Sequence, residues 1–204
     1  GEKAFTSGPV YIGAIICFLF VLGLFIVTGP YKWALLAATI FSITLAWGRN
    51  LMWFTELFFN YFPMYSKFRA VESILVVAEI TMPLLAILAL QQIINKNIEW
   101  KQLQKYLFIS GGITASICLF FALFGGIVDI TSSYDSQWTS QVPAWLKDAI
   151  LEQRTAMIKA DAWRSFIFIA LGFAVVYWYA WQTQKAEQPK HNYILYGALF
   201  VLVL

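Results

Sequence analysis

Residues 106–128 read YLFISGGITASICLFFALFGGIV, a run without one charged side chain between Lys105 and Asp129. An α-helix needs about 20 predominantly apolar residues to cross a hydrocarbon core of about 30 Å, and this run exceeds that. It reads as a membrane span. Further uncharged runs cover 4–31, 33–48, 165–184 and 192–204. The composition agrees, since 60% hydrophobic and 18% aromatic residues leave 12% charged, about half the charged share of an ordinary soluble domain. A soluble globule is excluded on that ground.

Working outward from 106–128, each side repeats the pattern of apolar run and breaker. A first span is expected over 9–28, stopped by the turn Gly29-Pro30-Tyr31-Lys32. A second follows over 33–48; at about 24 Å it is short, so it must thin the bilayer or lie partly against neighbouring helices. Residues 51–70, rich in Trp, Phe and Tyr and broken by Pro63, read as an interfacial segment. The third span, 72–90, carries Glu79 and Pro83, and a polar connection, 91–105, leads to the fourth. Gly111-Gly112 and Gly125-Gly126 near its ends allow close helix approach without matching the GxxxG spacing.

After the fourth span, 129–141 is a Ser, Thr and Asp loop. From Pro143, Leu146, Ile150, Met157 and Ala160 share a face apart from Lys147, Asp148, Glu152 and Lys159, which predicts an interfacial amphipathic helix. A fifth span is expected over 165–182, and Pro189 turns the chain into a truncated sixth, 193–204. The fold expected is all-α: one polytopic integral membrane bundle over 1–204, about five full spans plus a truncated sixth, with interfacial helices in the outer loops. The chain begins at Gly1 without a leader-like segment and ends in a half-span, so a fragment of a longer protein is expected. The remaining helices of that protein are then partners, as is the lipid bilayer.

Lys and Arg distribution sets orientation. Lys32, Lys96, Lys101, Lys105, Lys185 and Lys190 crowd the short connections, which places those in the cytoplasm. The long loops 49–70 and 129–164 are then extracytoplasmic. The net charge of +3 comes from scattered clusters and forms no basic stripe, so nucleic acid is not an expected partner. Cys17 and Cys118 lie inside apolar runs, and neither they nor the single histidine, His191, supply a metal-ligand spacing. No metal or organic cofactor is signalled.

Three sets of residues could carry chemistry. Tyr65-Ser66-Lys67-Phe68-Arg69 leads into Glu72 and Glu79, with Arg69, Glu72 and Glu79 on one helical face. Lys67 and Arg69 at the mouth of a span suit a phosphate headgroup; equally, they suit interfacial anchoring, with Arg69 paired to Glu72. Glu79 is an ionisable group inside a span, and Pro83 four residues on frees its carbonyl. It reads as a packing carboxyl, a proton carrier or the polar wall of a cavity. Arg154, Asp161 and Arg164 share a second face, where an Asp161–Arg164 surface pair competes with an outer-loop contact role. Asp129 and Asp135 form no recognisable metal loop.

The segment from Phe62 through Pro63, Met64, Tyr65, Ser66, Lys67, Phe68 and Arg69 to Ala70, followed by Ser73-Ile74-Leu75-Val76 and Glu79 to Leu85, resembles the YxPxYxKFR region of the YfhO family of bacterial multi-pass membrane proteins. Glu152-Gln153-Arg154 and Lys159-Ala160-Asp161-Ala162-Trp163-Arg164-Ser165 resemble that family's R…DAxRS lead into a span. Ser7-Gly8-Pro9-Val10-Tyr11-Ile12-Gly13 is similar to the helix lead-in of its Bacteroidetes branch. The resemblance implies a C-type membrane glycosyltransferase, which transfers sugar from a polyprenyl phosphate carrier on the outer face of the bacterial cytoplasmic membrane. It also implies a lipid-linked sugar as ligand, with Lys67 and Arg69 at the carrier phosphate and Tyr65 and Glu72 beside them. The catalytic acid of such enzymes lies in a first outer loop that these residues do not include.

Two other readings compete. A transporter or flippase would place Glu79 and the Pro83 kink on a midplane site and predicts a polar tunnel past Glu79. A structural subunit without catalysis predicts Glu72 and Glu79 satisfied by neighbouring side chains.

Overall fold

The computed structural model describes residues 11–47, 51–61, 71–126, 143–185 and 197–198. Every described element is helical: α1 Ala14–Ile26, α2 Tyr31–Ala46, α3 Met52–Tyr61, a 3-10 turn Val71–Leu75 that runs into α4 Val76–Ile94, α5 Trp100–Phe124 and α6 Ala144–Lys185. No strand occurs among the described residues.

α1 is the centre of the bundle. It packs along α4, α5 and α6 and more narrowly against α2, because apolar side chains surround it on every side. Phe18 and Leu22 are fully buried, and Ile15, Leu19, Phe20 and Ile26 nearly so. The glycines set how closely helices approach: a Cβ on Gly23 would stand 2.8 Å from Leu85 Cγ and 3.0 Å from the Leu85 carbonyl oxygen of α4. One on Gly111 of α5 would stand 3.0 Å from Phe173 of α6. Without a strong hydrophobic force between helices in lipid, such close approach and interhelical hydrogen bonds hold the seams.

The contacts also fix direction. Thr39 lies against Thr81 and Ser42 against Ile74, so α2 and α4 are antiparallel. Phe25 stacks on Tyr106 at 5.6 Å, and Phe18 lies near Gly111, so α1 and α5 are antiparallel. Gly111 faces Phe173 while Gly125 faces Ile158 and Lys159, so α5 and α6 are antiparallel too. The turn between α1 and α2 forms where expected: Gly29 takes φ +101°, and Pro30 caps α2, accepting from the Trp33 and Ala34 amides. Lys32 Nζ donates back to the Leu24 carbonyl at 3.0 Å, neutralising an end of α1.

Five full spans and a sixth were expected, yet three helical segments are long and apolar enough to cross a membrane unaided: Ser73–Ile94, Trp100–Phe124 and Trp145–Thr183. α1 and α2 are apolar but have 13 and 16 residues. α1 starts at Ala14, well after Pro9, because Gly13 with φ +92° breaks the helical path. The truncated sixth lies outside the described residues except for helical 197–198.

The largest correction concerns 143–164; the expected loop 129–141 lies outside the described residues. The amphipathic helix from Pro143 and the fifth span are not separate elements. α6 runs unbroken for 42 residues, about 63 Å at about 1.5 Å per residue, twice the thickness of a hydrocarbon core. No proline lies inside it, and its one glycine, Gly172, packs against Ile15. A change from charged to apolar side chains alters the surrounding solvent but does not break a backbone. The connection between α4 and α5 is also shorter than expected: both helices extend into the polar stretch, leaving 95–99, with Lys96 at φ +53°. Within 51–70, Met52–Tyr61 is helical, its rings clustered with Phe41 of α2; 62–70 lies outside the described residues.

Candidate functional site

Tyr65, Lys67 and Arg69 lie outside the described residues. Glu72 falls in the 3-10 turn Val71–Leu75, at the point where the chain rises into α4. What the structure adds is how this lead-in is fastened. Ser42 Oγ of α2 donates to the Ile74 carbonyl at 2.6 Å. Seven residues further along the chain, the Thr39 and Thr81 hydroxyls meet at 2.7 Å in a buried contact. Thr39 Oγ1 also reaches the Leu35 carbonyl at 2.8 Å; a hydroxyl has one proton, so Thr81 donates to Thr39, which donates to Leu35. The backbone just after the basic segment is thereby tied to α2. Sequence reading missed these hydroxyls, although Thr39 and Ser42 three residues apart in an uncharged run were the signal that one helical face is polar.

Glu79 sits in the first turn of α4 on its exposed face, between exposed Val76 and Ile80. Among the described residues, no hydrogen bond or ion pair involves its carboxylate. α4 instead turns Ala78, Thr81, Met82 and Leu85 inward. Pro83 stands inside the helix as expected.

Arg154, Asp161 and Arg164 all lie on the N-terminal half of α6. Asp161 and Arg164 form an ion pair at 3.8 Å with both side chains about 70% exposed, an arrangement worth a few tenths of a kcal/mol. Arg154 is half-buried on the same helix. An open concavity beside it is lined by Ala149, Glu152, Gln153, Ala156, Met157 and Ala160. Glu152 is its one charged side chain among these, so the concavity is a shallow helix face without the convergent polar groups of a catalytic site.

No group of three or more His, Cys, Asp or Glu side chains converges among the described residues. Asp129, Asp135 and His191 lie outside them. Cys17 and Cys118 are half-buried free thiols packed against the core. The most extensive feature of the surface is apolar: Ile80 and Ile87 of α4, Phe108 and Ile117 of α5, and Ile167 and Trp178 of α6 are all between 46% and 62% exposed. Aliphatic and aromatic side chains turned outward around a bundle suit acyl chains as the surrounding solvent. Compared with family models, curated proteins and solved structures, the chain matches none of them.

Proposed function

We propose that this chain is a polytopic membrane bundle that forms part of a glycosyltransferase, one that moves sugar from a polyprenyl phosphate carrier on the outer face of the bacterial cytoplasmic membrane. The membrane half of this reading is supported by the three long apolar helical segments and the outward apolar side chains. Alternation of direction from α1 through α2, α4, α5 and α6 supports five crossings, with the shorter α1 and α2 carried by their neighbours. The transferase half rests on the resemblance of 62–70 and 152–165 to the YfhO family.

The observation that carries the site is the anchoring of the lead-in to α4. Ser42 and the Thr39–Thr81 pair hold Ile74 to Thr81 against α2, so the helix that follows Lys67 to Glu72 in the chain starts from a fixed point. A basic pair delivered from a fixed helix end suits a lipid-linked phosphate, for which Arg supplies a planar fork and Lys a point charge. Glu72 would orient Arg69, and Tyr65 would supply a hydroxyl to the phosphate. In the full-length protein, Lys67→Gln with Arg69→Gln is expected to lower sugar transfer from labelled polyprenyl-phosphate sugar by at least about tenfold, the loss of two charge-assisted hydrogen bonds. Unchanged transfer together with unchanged donor affinity would overturn the assignment.

A further inference from the structure

Glu79 stands near mid-depth of the uncharged part of the bundle. Thr39 of α2 meets Thr81 of the antiparallel α4, and Lys32 lies seven residues before Thr39, so Glu79 is about 13 Å from the level of Lys32. α1 gives a similar distance. Gly23 touches Leu85, six residues after Glu79, which sets Glu79 level with Cys17. Phe25, eight residues on from Cys17, stacks on Tyr106, the neighbour of Lys105, about 12 Å away along the axis. In the other direction, Phe18 lies beside Gly111 and Gly111 beside Phe173, so Arg164 of α6 is about 12 Å beyond the level of Glu79. Long Lys and Arg stems reach outward to water at both boundaries. The Glu79 side chain, two methylenes long, reaches neither.

Its surroundings on α4 are apolar: Glu79 is exposed among Val76, Ile80, Leu84 and Ile87, which are exposed as well. An ionised side chain inside a span is costly, and such groups face a bundle interior or a polar partner. This one faces away from the bundle that α4 forms with its neighbours. Pro83 adds a second acceptor at the same place, because it has no N–H to give to the Glu79 carbonyl four residues back. A carboxylate and a freed carbonyl both accept, and the charged side chains that only donate are those of Lys and Arg. This chain has none at that depth. Between the level of Lys32 and Lys105 and that of Arg164, the described helices carry no Lys or Arg, so a second copy in the same orientation brings none. The apolar run 192–204 carries none either.

We infer that the outer face of α4 is an interface for a transmembrane helix from outside these 204 residues, one that presents a Lys or Arg at mid-depth to the Glu79 carboxylate and carbonyl. This rests on the membrane reading above and not on the transferase reading. The pairing satisfies the acceptors of one helix with the donors of the other, in surroundings where charge-assisted bonds are strong. The rest of the face suits a packed helix: Val76, Ile80 and Ile87 are β-branched, so they have little side-chain freedom to lose on contact.

The test is reconstitution of the intact chain into phosphatidylcholine vesicles together with a tryptophan-free Leu/Ala transmembrane peptide of about 20 residues. The peptide carries either Lys or Leu at its centre and a label that accepts energy from the tryptophans of the chain. Association with the Lys peptide at least about threefold stronger than with the Leu peptide is expected. Glu79→Gln keeps the volume and removes the charge at an exposed position, and it is expected to bring the Lys peptide down to the level of the Leu peptide. Moving the Lys six residues toward one end of the peptide should abolish the preference in the same way, since the ammonium then stands near water. Equal association of the central-Lys and Leu peptides with the unaltered chain overturns the inference, as does a preference that survives Glu79→Gln; both leave the membrane reading intact. A chain that does not float with the vesicles overturns the membrane reading itself.

Discussion

α4 is held by two neighbours in two different ways. Against α1 it is held by shape: Gly23 lets the Leu85 side chain and carbonyl come into contact with the α1 backbone, and Ala86 and Ala89 are buried among apolar side chains. Against α2 it is held by hydroxyls: Thr39, Ser42 and Thr81 are buried and hydrogen-bonded, two of these bonds crossing between elements. Both solutions follow from one constraint. In lipid, moving an apolar side chain from tails to a neighbouring helix gains little, so a seam needs either close van der Waals contact or a polar pair. The difference is in tolerance. A shape-based seam fails when one atom is added, whereas a hydroxyl seam loses one modest bond at a time.

The strongest break of that comparison is Gly23→Ala. Alanine is intrinsically the better helix former by about 1 kcal/mol, yet its Cβ would lie 2.8 Å from Leu85 Cγ and 3.0 Å from the Leu85 oxygen. The expected result is destabilisation by about 1–3 kcal/mol in reversible unfolding from mild detergent, the range of overpacked cores. Adding Leu85→Ala removes the side-chain clash but leaves the carbonyl, so it is expected to restore little. A full rescue would mean that the backbones can separate and that the seam is not defined by their approach. The hydroxyl seam should yield less. Thr81→Val keeps shape and removes the donor to Thr39, with an expected cost of about 0.6 kcal/mol and at most about 1.7, measured in the same unfolding experiment.

How far the sequence foretold this arrangement varies by element. The uncharged runs located α5, the apolar half of α6 and the Gly29-Pro30 turn, because charge avoidance and φ restriction act locally and leave a direct trace. The continuity of α6 left no such trace: a switch from amphipathic to apolar side chains at Ser165 looked like a boundary between elements, although the 21 residues before it carry no proline or glycine. The glycines that matter were also hidden. Gly111-Gly112 attracted notice as a pair, while Gly23 and Gly172 are single residues whose importance depends on Leu85 and Ile15 in other helices. The same holds for the candidate site. Identity and spacing made Lys67, Arg69 and Glu79 conspicuous, but whether a carboxylate faces inward depends on which side of α4 meets α1 and α2. Here that side is Ala78, Thr81 and Leu85, and Glu79 is turned out.

Adjacent glycines on α5 sharpen the contrast on a smaller scale. Gly111 faces Phe173 at 3.0 Å from where a Cβ would stand, whereas nothing lies within 4 Å of one on Gly112. Gly112→Ala should therefore stabilise by about 0.5–1 kcal/mol through helix propensity alone. Gly111→Ala should forfeit that gain, since the ring of Phe173 must yield. Equal effects at the two positions would show that α5 and α6 are not in the close register described.

The smallest effect belongs to the Asp161–Arg164 pair. Its atoms are 3.8 Å apart with most of both side chains exposed, so water and salt screen the attraction, and pairs three residues apart on a helix contribute about 0.2–0.5 kcal/mol. Asp161→Asn is therefore expected to change unfolding stability by less than about 0.5 kcal/mol, and by less still as salt is raised. The position matters more than the pair: Arg164 stands one residue before the uncharged run that begins at Ser165. If Asp161→Asn cost several times the expected amount, and the cost persisted in high salt, the pair would have to lie in a low-dielectric surrounding instead of at a wet boundary. The water-facing half of α6 would then end earlier in the chain, and the hydroxyl and glycine seams would no longer be the main polar and apolar fastenings of the bundle.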